Sequence, residues 1–178
     1  ATGRLTVKRG PRILTLPSRY RDILKPRPGM ELVQIDLVSA EPRTALHVAG
    51  KGIEGDVYKQ ISESLNLDVP REVIKVASLS ALYGAGHKML TQKLGNAAAA
   101  KRLIRQLRLH FGVARIESQL TLEMKEKGFI TNLFGRKLGT RRDEIQKAYS
   151  HFMQSTTSDA ALVMFADLTN HITRNIDP

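Results

Sequence analysis

Between residues 40 and 127 the apolar side chains recur at helical spacing, and prolines and glycines mark where each run starts and stops. A chain punctuated this way folds as a succession of short helices packed on one another, so the strands must be few. The run "AEPRTALHVAG" carries Pro42 at an early helical position, where a missing N–H costs nothing. Helical runs follow over about 55–66, 70–84 and 97–110, with Pro70 opening the second and Asn96 placed to cap "AAAAKRLIRQLRLHF". A longer run over 112–127 ends at Gly128, and residues 141–174 are helical again. Two stretches break the pattern. "MELVQID", residues 30–36, reads as a short apolar strand behind a Pro-Gly turn, and "GFITNLFGRKLG" reads as a β-hairpin around "FGR". The predicted class is α+β, mostly helical with a few antiparallel strands. There is no internal repeat and no long linker.

At 178 residues and 42% hydrophobic content the chain can bury a substantial core. Its charge is one-sided: 28 Lys and Arg against 17 Asp and Glu leave a net +11. Such an excess favours a polyanionic partner, nucleic acid first. Seven of the cations, Arg4, Lys8, Arg9, Arg12, Arg19, Arg21 and Lys25, lie between residues 4 and 25 of the Pro-, Gly- and Arg-rich N-terminal stretch, residues 1–29, which reads as loop. No long apolar run and no basic amphipathic helix with bulky aromatics points to a membrane. The absence of cysteine excludes disulfides and cysteine-based zinc sites. No secretory signal is legible, which fits a cytoplasmic setting. The chain opens without Met and closes on "NIDP", as a piece of something longer would.

Three patterns bear on chemistry. "GKGIEG" is a literal GxGxxG, but a helix precedes it where the dinucleotide mechanism needs a strand, so it reads as a turn. The five histidines, His47, His87, His110, His151 and His171, lack metal-ligand spacing. In "PREVIKVASLSALYGAG", by contrast, Arg71, Lys75 and Tyr83 stand at i, i+4 and i+12. At roughly 3.6 residues per turn the steps are about 40° and then about 80°, so all three share one broad helix face. Two cations and an aromatic on one face suit a polyphosphate with an attached base. Upstream, "VQIDLVSAEPR" ends a strand on Asp36 and places a second carboxylate, Glu41, at the mouth of the next helix.

Taken in order, these segments resemble the polymerase-I-like (family A) DNA polymerases. "TGRLT", residues 2–6, is similar to that family's Thr-Gly-Arg-Leu-Ser segment. "VQIDLVSAEPR" resembles its first catalytic motif, Asp-Tyr-Ser-Gln-Ile-Glu-Leu-Arg, with Asp36, Glu41 and Arg43 on the matching positions. "REVIKVASLSALYG" is similar to its nucleotide helix, with Arg71, Lys75, Tyr83 and Gly84 at the matching spacing. "GFITNLFGRKLG" and "MQSTTSDAAL" resemble its Gly-Arg-Arg hairpin and its Gln-Gly-Thr-Ala-Ala-Asp helix. The resemblance covers nearly the whole chain. It departs at Leu37, Val38, Ser39 and Ala40, at Leu79 and Ser80 (an aromatic and a glycine in the family), and at Ser155, which suggests a divergent, phage-derived branch.

The resemblance implies template-directed addition of deoxynucleotides to a primer 3′ end by two-metal phosphoryl transfer. It makes the partners a DNA primer-template, dNTPs and the rest of a polymerase chain. Two Mg²⁺ ions would be the cofactors, with Asp36 and the carbonyl of Leu37 as metal ligands. Arg71 and Lys75 would hold the triphosphate, with Lys75 a proton donor to the leaving pyrophosphate. Leu79 and Tyr83 would line the nucleotide, and Glu41 would sit beneath the sugar and exclude a 2′-hydroxyl. Gln154 would reach the minor groove, and Arg4, Arg19, Arg21 and Arg136 would contact backbone phosphates. Residues 1–40 would be a basic segment and first palm strand, 41–127 a helical fingers region, and 128–178 a hairpin and palm helices ending before the motif that supplies the second metal-binding aspartate. Two other readings share part of the pattern: a single-subunit RNA polymerase, against which Glu41 argues, and a non-catalytic nucleic-acid-binding module.

Overall fold

The computed structural model describes residues 3, 7–10, 12–84, 86–139 and 147–176. Seven α-helices follow one another among them: α1 (Ala40–Val48), α2 (Val57–Ser64), α3 (Arg71–Tyr83), α4 (His87–Leu94), α5 (Ala97–His110), α6 (Val113–Lys127) and α7 (Ala148–Ile176). Between α6 and α7 lies one antiparallel hairpin, β1 (Ile130–Thr131) and β2 (Lys137–Leu138). Ahead of α1 come two 3-10 turns, Ile13–Thr15 and Ser18–Ile23. The class is α+β and mostly helical, as expected.

Local chemistry sets most helix ends. Asp56 caps α2, its carboxylate accepting from the amides of Tyr58 at 2.9 Å and Lys59 at 3.3 Å. Asn96 caps α5 by accepting from the Ala99 amide at 3.0 Å. The last turn of α6 closes on Gly128, whose φ of 77° is a conformation that a side chain would strain. Helix α4 is the one element the spacing of apolar residues does not announce. It is eight residues long, and Leu90 is its buried residue, so its apolar periodicity is too brief to register.

Helix α3 lies at the centre. Val73, Ile74, Ala77, Ala81 and Leu82 are buried on it, and it packs against α1, α2, α4, α5 and α7. Fully burying side chains such as Ile74 and Leu82 contributes about 1.5–3 kcal/mol each, enough to hold a helix whose opposite face is given over to charge. Leu46, Ile61, Leu90, Leu107, Phe111, Met124, Ile130, Tyr149 and Met153 complete one continuous core. In the hairpin, Ile130 stands opposite Leu138, and both are buried.

The strand expected over residues 30–36 does not form. The segment is extended but pairs with no strand among the described residues, and Met30, Leu32, Val33 and Ile35 are 61, 61, 77 and 45% exposed. A short apolar run becomes a strand only when a neighbouring segment takes its backbone hydrogen bonds and covers its apolar side chains. The "GKGIEG" segment is a turn between α1 and α2, as expected. Among the described residues no helix is long and apolar enough to cross a membrane.

Candidate functional site

The extended segment delivers Asp36 and Leu37 to a turn at Val38 and Ser39, and α1 begins at Ala40. Ser39 makes this reversal with left-handed backbone angles, φ 54° and ψ 42°, a region that non-glycine residues rarely enter. After the turn, Asp36, Leu37, Ala40 and Glu41 form one wall of a cleft of about 250 Å³, and Gln154, Thr157, Ser158, Ala161 and Phe165 of α7 form the other. Spacings of three, four and seven residues put those α7 side chains on one helix face. The hydroxyl of Thr157 donates to that of Thr44 at 3.0 Å and ties α7 to α1 beneath the cleft. Four residues singled out in the sequence, Asp36, Leu37, Glu41 and Gln154, are thus gathered into one pocket.

The cationic face of α3 is the second half of the site. Arg71 and Lys75 are exposed, while Leu79 and Tyr83 are half-buried, and Tyr83 packs against the core. The guanidinium of Arg71 is held from three sides. Its Nε donates to the Asp56 carboxylate at 2.7 Å, one terminal nitrogen donates to Glu72 at 3.3 Å, and its carbon lies 5.0 Å from the centre of the Tyr58 ring. The hydrogen bond from Arg71 holds the Asp56 carboxyl below the usual aspartate range, and the carboxylate in turn raises the guanidinium. Arg43 joins the two halves: it donates to the Val38 carbonyl at 3.0 Å, beside Asp36, and to the Gly55 carbonyl, beside Asp56.

The other predicted contacts are scattered. Arg136 is exposed but already engaged by an internal ion pair, with Nε 2.8 Å and a terminal nitrogen 2.6 Å from the two oxygens of buried Asp159. Its hydrogen bond is the main reason the Asp159 carboxyl lies below the usual range. Arg19 stacks over the Tyr20 ring at 4.7 Å. Arg21 donates to the Leu16 carbonyl at 3.2 Å and to Gln34 at 2.7 Å. Arg4 lies outside the described residues. Sequence reasoning assigned no role to Asp56 or Asp159. Asp56 was visible as a capping aspartate directly before a helix, but nothing local tells that Arg71 shares it.

Asp36 and Leu37 line the cleft, and a carboxylate and a backbone carbonyl are hard oxygen donors of the kind that suit a hard cation such as Mg²⁺. No cluster of three or more His, Cys, Asp or Glu side chains able to hold a metal occurs among the described residues. The donors therefore fit as one anchoring side of a metal site and do not close a cage.

Comparison with known proteins supports a relation to DNA polymerases in general. The chain is 27% identical over 157 residues to a DNA polymerase of Mycobacterium phage L5, an alignment covering 82% of this chain and 26% of that protein. It is 24% identical over 147 residues to a DNA polymerase of Mycobacterium phage D29, covering 74% of this chain and 24% of that protein. The relation is to phage DNA polymerases. The chain spans about a quarter of the length of these curated relatives. No protein-family model and no solved structure matches it.

Proposed function

We propose that this chain forms the nucleotide-handling part of a family A type, template-directed DNA polymerase. The observation that carries the reading is the cleft itself. Asp36, Leu37, Glu41 and Gln154 come from distant segments into one pocket, and the helix presenting Arg71 and Lys75 packs against both helices that wall it. The similarity to phage DNA polymerases supports the same reading.

The residues then divide the work of an in-line phosphoryl transfer, which consists mainly of positioning and charge neutralisation. Asp36 and the Leu37 carbonyl would hold Mg²⁺, which when bound supplies positive charge to the phosphates and acidifies the attacking hydroxyl. Arg71 and Lys75 bind the triphosphate of the incoming nucleotide. As the primer 3′ hydroxyl gives its proton to solvent, its oxygen bonds to the α-phosphorus and the bond to pyrophosphate breaks, Lys75 gives a proton to the leaving group. Glu41 forms the floor under the sugar and rejects a 2′-hydroxyl by crowding. Tyr83 stands at the templating-base end of α3, and Gln154 reaches the minor groove of the primer end. Arg19 and Arg21 steady the duplex backbone without reading its sequence. Arg136, held on Asp159, can offer DNA its exposed edge alone.

Primer extension by the Asp36→Ala variant of the polymerase carrying this sequence tests the reading. Extension should fall on the order of a hundredfold or more, while primer-template affinity stays within about twofold, because phosphate contacts supply most of that affinity. Loss of DNA binding together with activity in a folded variant would make Asp36 structural.

A further inference from the structure

We propose that Asp56 competes with the nucleotide's phosphates for the Arg71 guanidinium, and so sets nucleotide affinity from outside the cleft. The proposal rests on the reading of Arg71 as a phosphate ligand and adds a residue that no motif match singles out. Asp56 divides its carboxylate. One oxygen accepts from the amides of Tyr58 and Lys59, which bolts it to the start of α2, and the other accepts from Arg71 at 2.7 Å. A carboxylate fixed in this way cannot follow Arg71 outward, so the pair is either kept or broken.

The pair is built to break. Its side chains are 47 and 38% exposed, and exposed ion pairs are weak. A triphosphate carries more charge than one carboxylate and can engage a guanidinium with two parallel hydrogen bonds. Lys75, one turn further along the same exposed face, makes no ion pair among the described residues, so a phosphate that reaches it meets no internal rival there. The competition is also tied to the cleft, since Arg43 holds the carbonyl before Asp56 and the Val38 carbonyl near Asp36 at once. Asp56 is thus a positioning residue that acts through Arg71.

Single-nucleotide incorporation by the whole polymerase tests this with Asp56→Asn, Arg71→Ala and the double variant. Asparagine keeps the capping oxygen and removes the charge. Asp56→Asn should lower the KM for dNTP roughly two- to fivefold, the range an exposed ion pair spans, with little change in kcat. Arg71→Ala should raise KM, and in its background Asp56→Asn should have no effect. Asp56→Ser, which also preserves a cap, should reproduce the fall, with circular dichroism checking that each variant is folded. An unchanged or higher KM in both Asp56 variants, in an enzyme where Arg71→Ala raises KM, overturns the competition alone. An Arg71→Ala variant with unchanged KM removes the phosphate role of Arg71, and the competition with it.

Discussion

Ser39 is the residue on which the cleft turns. Its left-handed backbone lets the chain double back so that Asp36 and Glu41 line one wall, and its side chain makes no capping hydrogen bond that would offset the strain. Ser39→Gly should therefore keep the turn and raise stability by up to about 1 kcal/mol. Ser39→Val, β-branched where φ is positive, should lower it by more than about 1 kcal/mol. Urea midpoints for the two variants should move in opposite directions, and a fall in both would place the role of Ser39 in its hydroxyl. Glu41 carries a prediction about selectivity. Under the proposed function, Glu41→Ala should increase ribonucleotide incorporation relative to deoxynucleotide by roughly tenfold or more, and an unchanged ratio in single-turnover assays would remove the sugar-floor assignment.

At the scale of elements, a polar cluster seats the hairpin on α7. Buried Asn132 donates to the Ser155 hydroxyl and to Asp159, each at 2.7 Å, and its own oxygen accepts from the Phe134 and Arg136 amides, closing the turn between β1 and β2. Asp159 also receives Arg136. A Cβ on Gly3 would lie 3.2 Å from the Arg136 guanidinium carbon, so Gly3 lies close against this cluster where a side chain would crowd it. The folded-state pKa of Asp159 is depressed by these donors. Its stabilising contribution is therefore complete above the unfolded aspartate value of about 3.9 and is lost as pH falls through the lower folded value. Thermal scans from neutral pH down to about pH 2 should show a loss of stability that is smaller in Asp159→Asn. An identical acid limb in both proteins would mean that other carboxylates govern acid unfolding. The predicted strand over 30–36 failed at this same scale: its apolar run is local, but the partner it needs is not supplied by any described element.

For the whole molecule, the net charge of +11 is the property on which the proposed contacts with DNA depend most directly. Primer-template affinity measured by anisotropy should fall steeply between about 50 and 200 mM salt, because bound cations release counterions from the phosphates. Arg19→Ala should reduce the log-log slope by about one. Arg21→Ala should reduce it by less, since Leu16 and Gln34 already hold that guanidinium. A flat salt dependence would rule out the backbone-binding role of the basic N-terminal segment.

The sequence by itself determined the helices α1 to α3 and α5 to α7, most of their ends and the position of the hairpin. Apolar spacing, capping side chains and glycine ends act over a few residues and need no knowledge of the rest of the chain. It also determined the excess of positive charge and the ordered motifs. Only the tertiary structure decided that Asp36, Glu41 and Gln154 share a cleft. It also decided which cations are held internally, since Arg71 meets Asp56 across 15 positions and Arg136 meets Asp159 across 23. Such pairings depend on how helices pack, and packing is set by buried surface drawn from the whole chain. No spacing rule along the sequence reports it.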